Sequence, residues 1–139
     1  NGLKIISLKE ISDERGSVLH MLRADEKHFK EFGEIYFSEV NPGITKTWKK
    51  HLKMTQNFTV PLGKILFKFY DDRLTSKSYG VKEKIIIGRS NNYSLIIVPP
   101  LIWYSFENIS SKHSLIANCS SIPHDPLETV RDKLEILDF

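Results

Sequence analysis

A strand–turn–strand signal over residues 57–70 constrains the fold of this chain most strongly. Large apolar side chains recur at every second position over residues 57–60 and again over 64–70. This period is typical of strands with one buried face. Between them, Pro61-Leu62-Gly63-Lys64 predicts a tight turn, because proline fixes φ and glycine tolerates positive φ. The hairpin has one apolar face, which a second sheet or barrel closure must cover.

The rest of the chain repeats this pattern of short strands and turns, as expected for a sandwich or barrel. An Asp13-Glu14-Arg15-Gly16 turn and an Asn41-Pro42-Gly43 break separate early strands, and Asp25–Phe32 predicts a loop or one helical turn. Further strands are predicted at residues 3–6, 17–22, 34–40, 81–87, 94–98, 102–106 and 114–119.

The end of the chain predicts a short C-terminal helix instead of a strand. Asp125 is placed as its N-cap, with Pro126 at the first helical position and Glu128 completing a capping box. Apolar residues then follow helical spacing at Leu127, Val130, Leu134 and Leu137.

Length and charge set the remaining bounds. The 139 residues predict a single domain spanning 1–139, and a net charge of +3 is too small to indicate a nucleic-acid partner. No apolar run is long enough for a membrane span, so no membrane partner is expected. A single cysteine, Cys119, and the lack of a recognisable export signal predict a cytoplasmic protein.

Three motifs in order resemble those of the dTDP-4-dehydrorhamnose 3,5-epimerases. The segment Asp71–Gly80 resembles that family's D-x-R-x-x-S-x-x-F-G signature, and Asp13–Gly16 its early D-x-R-G turn. Residues 92–106, with Pro99-Pro100 at the centre, resemble its late strand and turn. The resemblance implies a mostly β, cupin-type jelly-roll barrel that forms a homodimer and accepts a nucleotide-linked 4-keto sugar. Related short cupins are sugar 3,4-ketoisomerases.

The residues at the family's catalytic positions differ. The base histidine position holds Lys49, the catalytic lysine position holds Gln56, and the second cupin histidine position holds Tyr104. The family's acid tyrosine, on the strand near Ala117, has no equivalent. Because His51 is the one imidazole among these four ligand positions (Lys49, His51, Gln56 and Tyr104), we expect no metal and no other cofactor.

His51 is the candidate base for proton transfer next to a carbonyl. Lys49 lies two residues earlier, so on a strand both side chains share a face, and the nearby cation should keep the imidazole neutral. Lys49 is then the candidate partner of the developing oxyanion, and Tyr36 and Tyr104 are candidate proton donors. Alternatively, His51 only hydrogen-bonds within the barrel, and the tyrosines are core residues.

The candidate substrate-binding residues are cationic, aromatic or amide-bearing. Arg15 is the first candidate for a phosphate contact, whereas Arg73 is expected to form structural ion pairs with Asp71 or Asp72. Trp48 stacks on a nucleobase or packs in the core or a dimer interface. The full set is Arg15, Lys46, Gln56, Trp48, Asn118 and Arg73.

These features support two hypotheses of different classes. The first is an enzyme that epimerises or keto-isomerises a dTDP-4-keto-6-deoxyhexose through an enolate, in deoxysugar or lipopolysaccharide biosynthesis. The alternative is a non-catalytic cupin that binds a nucleotide sugar and has lost the epimerase residues. Solvent exchange of the substrate's C–H protons separates the two.

Overall fold

The structure, a computed structural model, describes residues 2–89 and 92–131, and its regular structure there is almost entirely β-strand. The strands are β1 (Lys4–Ser7), β2 (Glu10–Asp13), β3 (Gly16–Leu19), β4 (Glu34–Val40), β5 (Thr45–His51), β6 (Gln56–Leu62), β7 (Lys64–Asp71), β8 (Lys82–Gly88), β9 (Ser94–Val98), β10 (Ile102–Asn108), β11 (Ser114–Ser120) and β12 (Thr129–Arg131). No described helix is long and apolar enough to cross a membrane.

Two five-stranded antiparallel sheets face each other, which is the layered arrangement expected of a jelly roll. One sheet has the order β1-β9-β6-β11-β4 and the other β12-β5-β10-β7-β8. The main apolar core contains buried side chains from both sheets, so the sheets cover each other's apolar faces without closing into one continuous barrel. The mostly β, cupin-type fold predicted from the sequence is confirmed.

The two predicted strands of residues 57–70 form as β6 and β7, but they lie in different sheets and do not pair as the predicted hairpin. Gly63 makes the turn with φ of 81°, and a Cβ at this position would collide with Ser114. Phe58 and Phe67, one from each strand, pack with ring centroids 5.5 Å apart in the core. The turn glycine and the alternating aromatics therefore join the two sheets.

The predicted C-terminal helix is wrong. Asp125 does cap a turn, because its carboxylate accepts a hydrogen bond from the Leu127 N–H at 2.9 Å. The turn is a 3₁₀ turn, Pro126–Glu128, and the chain then extends into β12, which pairs with β5. Helical spacing failed because Glu128 turns inward to bind other residues, while Leu127 is 87% exposed. Leu134 and Leu137 lie outside the described residues.

The strands β2 and β3 form a separate hairpin that pairs with neither large sheet. The predicted Asp13–Gly16 turn connects them, and Arg15 folds back onto Asp13. Apolar Ile11 and Val18 are 46% and 61% exposed on this hairpin. An isolated two-stranded hairpin is only marginally stable in water, so this element needs further contacts.

Candidate active site

One end of the core opens into a cleft of about 360 Å³. Strand β4 of the first sheet contributes to one side, and β5 and β12 of the second sheet contribute to the other. The residues that line this cleft are Glu34, Tyr36, Lys49, His51, His124, Thr129 and Arg131. The cleft thus brings together three of the four predicted catalytic residues, Tyr36, Lys49 and His51.

His51 forms a buried pair with Glu128 at the base of the cleft. Its Nδ1 lies 2.6 Å from Glu128 Oε2, and both residues are at least 94% buried. The other carboxylate oxygen, Oε1, accepts the backbone N–H groups of Lys53 at 2.6 Å and Met54 at 2.8 Å. Burial alone raises the pKa of Glu128, but these N–H groups and His51 together bring it below its usual range. Glu128 therefore stays ionised.

The Glu128 carboxylate determines the tautomer of His51. An ionised carboxylate only accepts hydrogen bonds, so Nδ1 carries the proton and Nε2 holds the lone pair. Tyr104 lies 3.0 Å from Nε2 and donates its hydroxyl proton to it. Desolvation lowers the pKa of His51 and outweighs the opposing effect of Glu128, so the imidazole is neutral near pH 7. A neutral imidazole with an oriented lone pair is equipped to act as a base.

Lys49 places a half-buried amine beside this base. Its Nζ lies 5.4 Å from the ring centre of Tyr104, and no carboxylate among the described residues forms an ion pair with it. Desolvation first, and then the charges of Arg131 and Lys46, lower the pKa of Lys49 to about 8. An uncompensated cation in a cleft favours an anionic ligand or a developing negative charge.

A bulge in β5 places Lys46 on the same face as Lys49, although they are three positions apart in the sequence. Lys49 pairs with Tyr104 and Lys46 with Phe106, so β5 has one more residue than β10 in this interval. Lys46 Nζ lies 6.0 Å from the ring centre of Phe106. In a regular strand, residues three positions apart point to opposite faces, so without the bulge one of the two lysines would leave this face.

Tyr36 is held by a buried amide network. Asn118 Nδ2 donates to the Tyr36 hydroxyl oxygen at 2.6 Å and also to Gln56 Oε1. Gln56 in turn contacts Met54 Sδ through its amide nitrogen. Asn118 and Gln56 are each 1% exposed, so they support the cleft from behind and do not line it. Their predicted role as direct substrate contacts stays a prediction.

Trp48 lies on the opposite face of β5. It packs with Trp103 in a second apolar cluster outside the main core, as one of the alternatives from the sequence expected. Nearby, Lys50 binds Asp72 at 2.7 Å and lies 4.6 Å from the ring centre of Trp103. The side chains of β5 therefore alternate between the cleft and an external structural cluster.

The two predicted arginines lie outside the cleft. Arg73 forms an ion pair with Asp71 at 2.8 Å, as expected, and the same carboxylate binds Ser76 and Ser78. This network fixes the connection after β7. Arg15 is at the turn of the β2–β3 hairpin, where its side chain is 82% exposed, forms an ion pair with Asp13 at 2.5 Å and does not line the cleft.

Sequence reasoning missed four residues that lie in or support the cleft: Glu34, Glu128, Thr129 and Arg131. Glu128 had been interpreted as a capping residue, and 77 positions separate it from His51, so no local pattern could indicate their contact. The expectation that no metal binds concerns residues of the same region. Within the described part of the chain, no group of three His, Cys, Asp or Glu residues could hold a metal ion.

Comparisons with known proteins agree with this architecture, although no family model matches the sequence. The chain is 30% identical over 118 residues to the probable low-salt glycan biosynthesis epimerase Agl13 of Haloferax volcanii, covering 84% of this chain and 75% of that protein.

Solved structures of sugar-nucleotide isomerases and epimerases have the same fold as this chain. A dTDP sugar isomerase from Desulfovibrio desulfuricans G20 superimposes with a TM-score of 0.95 at 43% identity, covering 99% of this chain and 89% of that one. The dTDP-6-deoxy-D-glucose-3,5-epimerase RmlC from Legionella pneumophila, in complex with dTDP-4-keto-L-rhamnose, shares the fold with a TM-score of 0.83 at 20% identity, covering 93% and 71%.

Proposed function

Because this chain belongs to the cupin family of sugar-nucleotide epimerases and isomerases that includes the dTDP-4-dehydrorhamnose 3,5-epimerases, we propose that it epimerises or keto-isomerises a dTDP-4-keto-6-deoxyhexose. The observation that carries this proposal is the neutral, carboxylate-oriented His51 in a cleft with Lys49 and Tyr36. The reaction serves deoxysugar or polysaccharide biosynthesis, with lipopolysaccharide as one destination.

The reaction begins with proton removal beside the C4 carbonyl. Nε2 of His51 takes the proton, the C–H electron pair forms the enolate, and Glu128 stabilises the resulting imidazolium through Nδ1–H. Substrate must first displace the Tyr104 hydroxyl from Nε2, which costs about 0.5–1.5 kcal/mol for one net hydrogen bond. Lys49 then stabilises the enolate oxygen by its charge.

Reprotonation completes the reaction. Tyr36 is the donor that the geometry favours, because it lines the cleft from β4 while His51 lines it from β5 of the other sheet. Tyr104 is less suited, since it is 1% exposed and its proton is committed to His51. The proton transfers conserve electrons, so the proposed reaction requires no redox cofactor.

The cations around the cleft support recognition of the nucleotide diphosphate. Arg131 and Lys49 line the cleft and Lys46 lies next to them on the same face of β5. Charge pairing with phosphate oxygens would compensate their mutual repulsion. We propose that the nucleotide of the substrate enters along this cationic side.

We propose that the chain acts as a homodimer in which the β2–β3 hairpin packs on a second copy. Among the described residues this hairpin has no partner sheet, and its apolar Ile11 and Val18 are exposed. In a dimer, Arg15 at its turn would reach a phosphate in the partner's cleft. Cytoplasmic location also remains a proposal, supported by the free, buried Cys119.

The proposed function is tested by incubating the protein with dTDP-4-keto-6-deoxyglucose in deuterated water. We expect deuterium at C3 or C5, detected by NMR, and an about 10²–10⁴-fold slower exchange in His51→Asn, which keeps similar size but cannot take up a proton. Nucleotide affinity should stay within a few-fold of wild type. Tight binding without exchange in the wild type would favour the non-catalytic binding protein.

A further inference from the structure

The buried side chain of Asn118 has one feature that its packing does not explain. Its residue is 1% exposed, both of its N–H groups are used, and yet no donor among the described residues reaches its Oδ1. Asn118 lies on β11, between Tyr36 on β4 and Gln56 on β6. An unpaired buried acceptor lowers the stability of the fold, so the two hydrogen bonds that the amide nitrogen donates must hold Asn118 in this orientation.

The polarity of the Asn118–Tyr36 hydrogen bond decides where the phenol proton points. An amide nitrogen has no lone pair to offer, so Tyr36 must accept at its oxygen, at 2.6 Å. The hydroxyl proton of Tyr36 is then free to point elsewhere, and Tyr36 lines the cleft. Gln56 supports this orientation, because its Oε1 faces Asn118 and would repel the amide oxygen of a rotated Asn118.

The same hydrogen bond favours the ionised form of Tyr36. Burial raises the pKa of Tyr36 above its ordinary value, and donation from Asn118 acts in the opposite direction. Glu34 raises the pKa further, and Arg131 lowers it. The other titratable groups that share this region are Lys49, His51, His124 and Tyr104.

We propose that Asn118 is a positioning residue for Tyr36, directing the phenol proton into the cleft and stabilising the phenolate that remains after the proton is delivered. This inference rests on the proposed function, in which Tyr36 reprotonates the enolate. In this proton transfer the O–H bond of Tyr36 breaks, its proton forms the new C–H bond with the electron pair of the enolate, and solvent later reprotonates the phenolate.

The test compares Asn118→Leu with Tyr36→Phe and wild type, measuring two rates on one keto sugar. Deuterium uptake into recovered substrate reports His51, whereas conversion to product also requires the donor. We expect Asn118→Leu to lower conversion about 10- to 100-fold, as for a lost hydrogen bond to a charged group. Its deuterium uptake should stay within about threefold of wild type, since general-base catalysis remains intact.

Asn57→Leu is the matched control. Asn57 is also buried, on the neighbouring strand β6, where its amide donates to Cys119 O at 2.8 Å on the face away from the cleft. It should lower both rates equally or not at all. Equal losses of uptake and conversion in Asn118→Leu, matching Asn57→Leu, would reduce Asn118 to a structural residue and overturn the inference.

A second measurement does not depend on turnover or on the leucine variant folding well. The near-isosteric Asn118→Asp replaces the amide donor by an acceptor, so the alkaline titration of Tyr36, followed by NMR of a ¹³C-labelled ring, should move to higher pH. An unchanged titration overturns the inference. A wild type without deuterium exchange would instead contradict the proposed function, while this titration would still decide the role of Asn118.

Discussion

Replacing Glu128 by glutamine should reverse the tautomer of His51. The new side chain can keep its Oε1 on the N–H groups of Lys53 and Met54, because an amide oxygen also accepts two hydrogen bonds. Its NH₂ group then faces Nδ1 of His51 in place of an oxygen that was 2.6 Å away. A donor at this position forces Nδ1 to accept and moves the proton to Nε2, the atom that must act as the base.

The magnitude follows from the loss of a correctly oriented base. General-base catalysis contributes about 10²–10⁴-fold, and an amide-for-carboxylate change in a serine protease triad lowers kcat about 10⁴-fold. We expect Glu128→Gln to slow deuterium exchange within this range. Glu128→Ala should slow it less, because the hydroxyl of Thr129, 3.4 Å from Nδ1, can accept the Nδ1 proton.

The assay combines exchange rates with ¹⁵N NMR of the His51 ring, which distinguishes the two tautomers. Asp72→Asn is the control, since Asp72 binds Lys50 and Trp103 on the external face of the sheet. It should leave exchange unchanged. If Glu128→Gln retained exchange within about threefold of wild type while the NMR showed protonated Nε2, His51 would not be the base, and Lys49 would become the first candidate.

Three further predictions concern the pH dependence of exchange, the dimer and nucleotide binding. The exchange rate should rise with pH through the lowered pKa of His51, below 6.5, and fall as Lys49 loses its charge near pH 8. In Lys49→Arg the alkaline decline should disappear, because arginine stays charged. A decline that persists in this variant would belong to another group. Light scattering should show that Val18→Lys converts a dimer to a monomer. Arg15→Ala should weaken nucleotide binding, and most at low salt. A monomeric wild type would contradict both proposals.

Local patterns predicted the fold well because strand period and turn chemistry act over a few residues. Alternation at residues 57–70 and Gly63 were sufficient to place β6 and β7. The same reasoning failed after Asp125, where capping and helical spacing favoured a helix. A long-range contact prevailed there, because Glu128 makes hydrogen bonds to three residues more than 70 positions earlier.

The candidate site was predicted in part for the same reason. Strand alternation placed Lys49 and His51 on one face, and both line the cleft with Tyr36. The separate tasks of Tyr36 and Tyr104 could not be predicted, since they depend on which buried group each hydroxyl meets. Only the three-dimensional structure gives that information.

The bulge in β5 makes this strand tolerant of substitution but dependent on its irregular pairing with β10. Replacing a single side chain alters either the cleft or the external cluster and leaves the other face alone. If residues 46–49 paired with β10 as a regular strand, Lys46 and Lys49 would lie on opposite faces, and one of them, with everything on its side of the lost bulge, would turn to the wrong face. Divergence within β5 should therefore proceed through point mutations, and related chains that bind differently charged ligands are expected to keep its bulge.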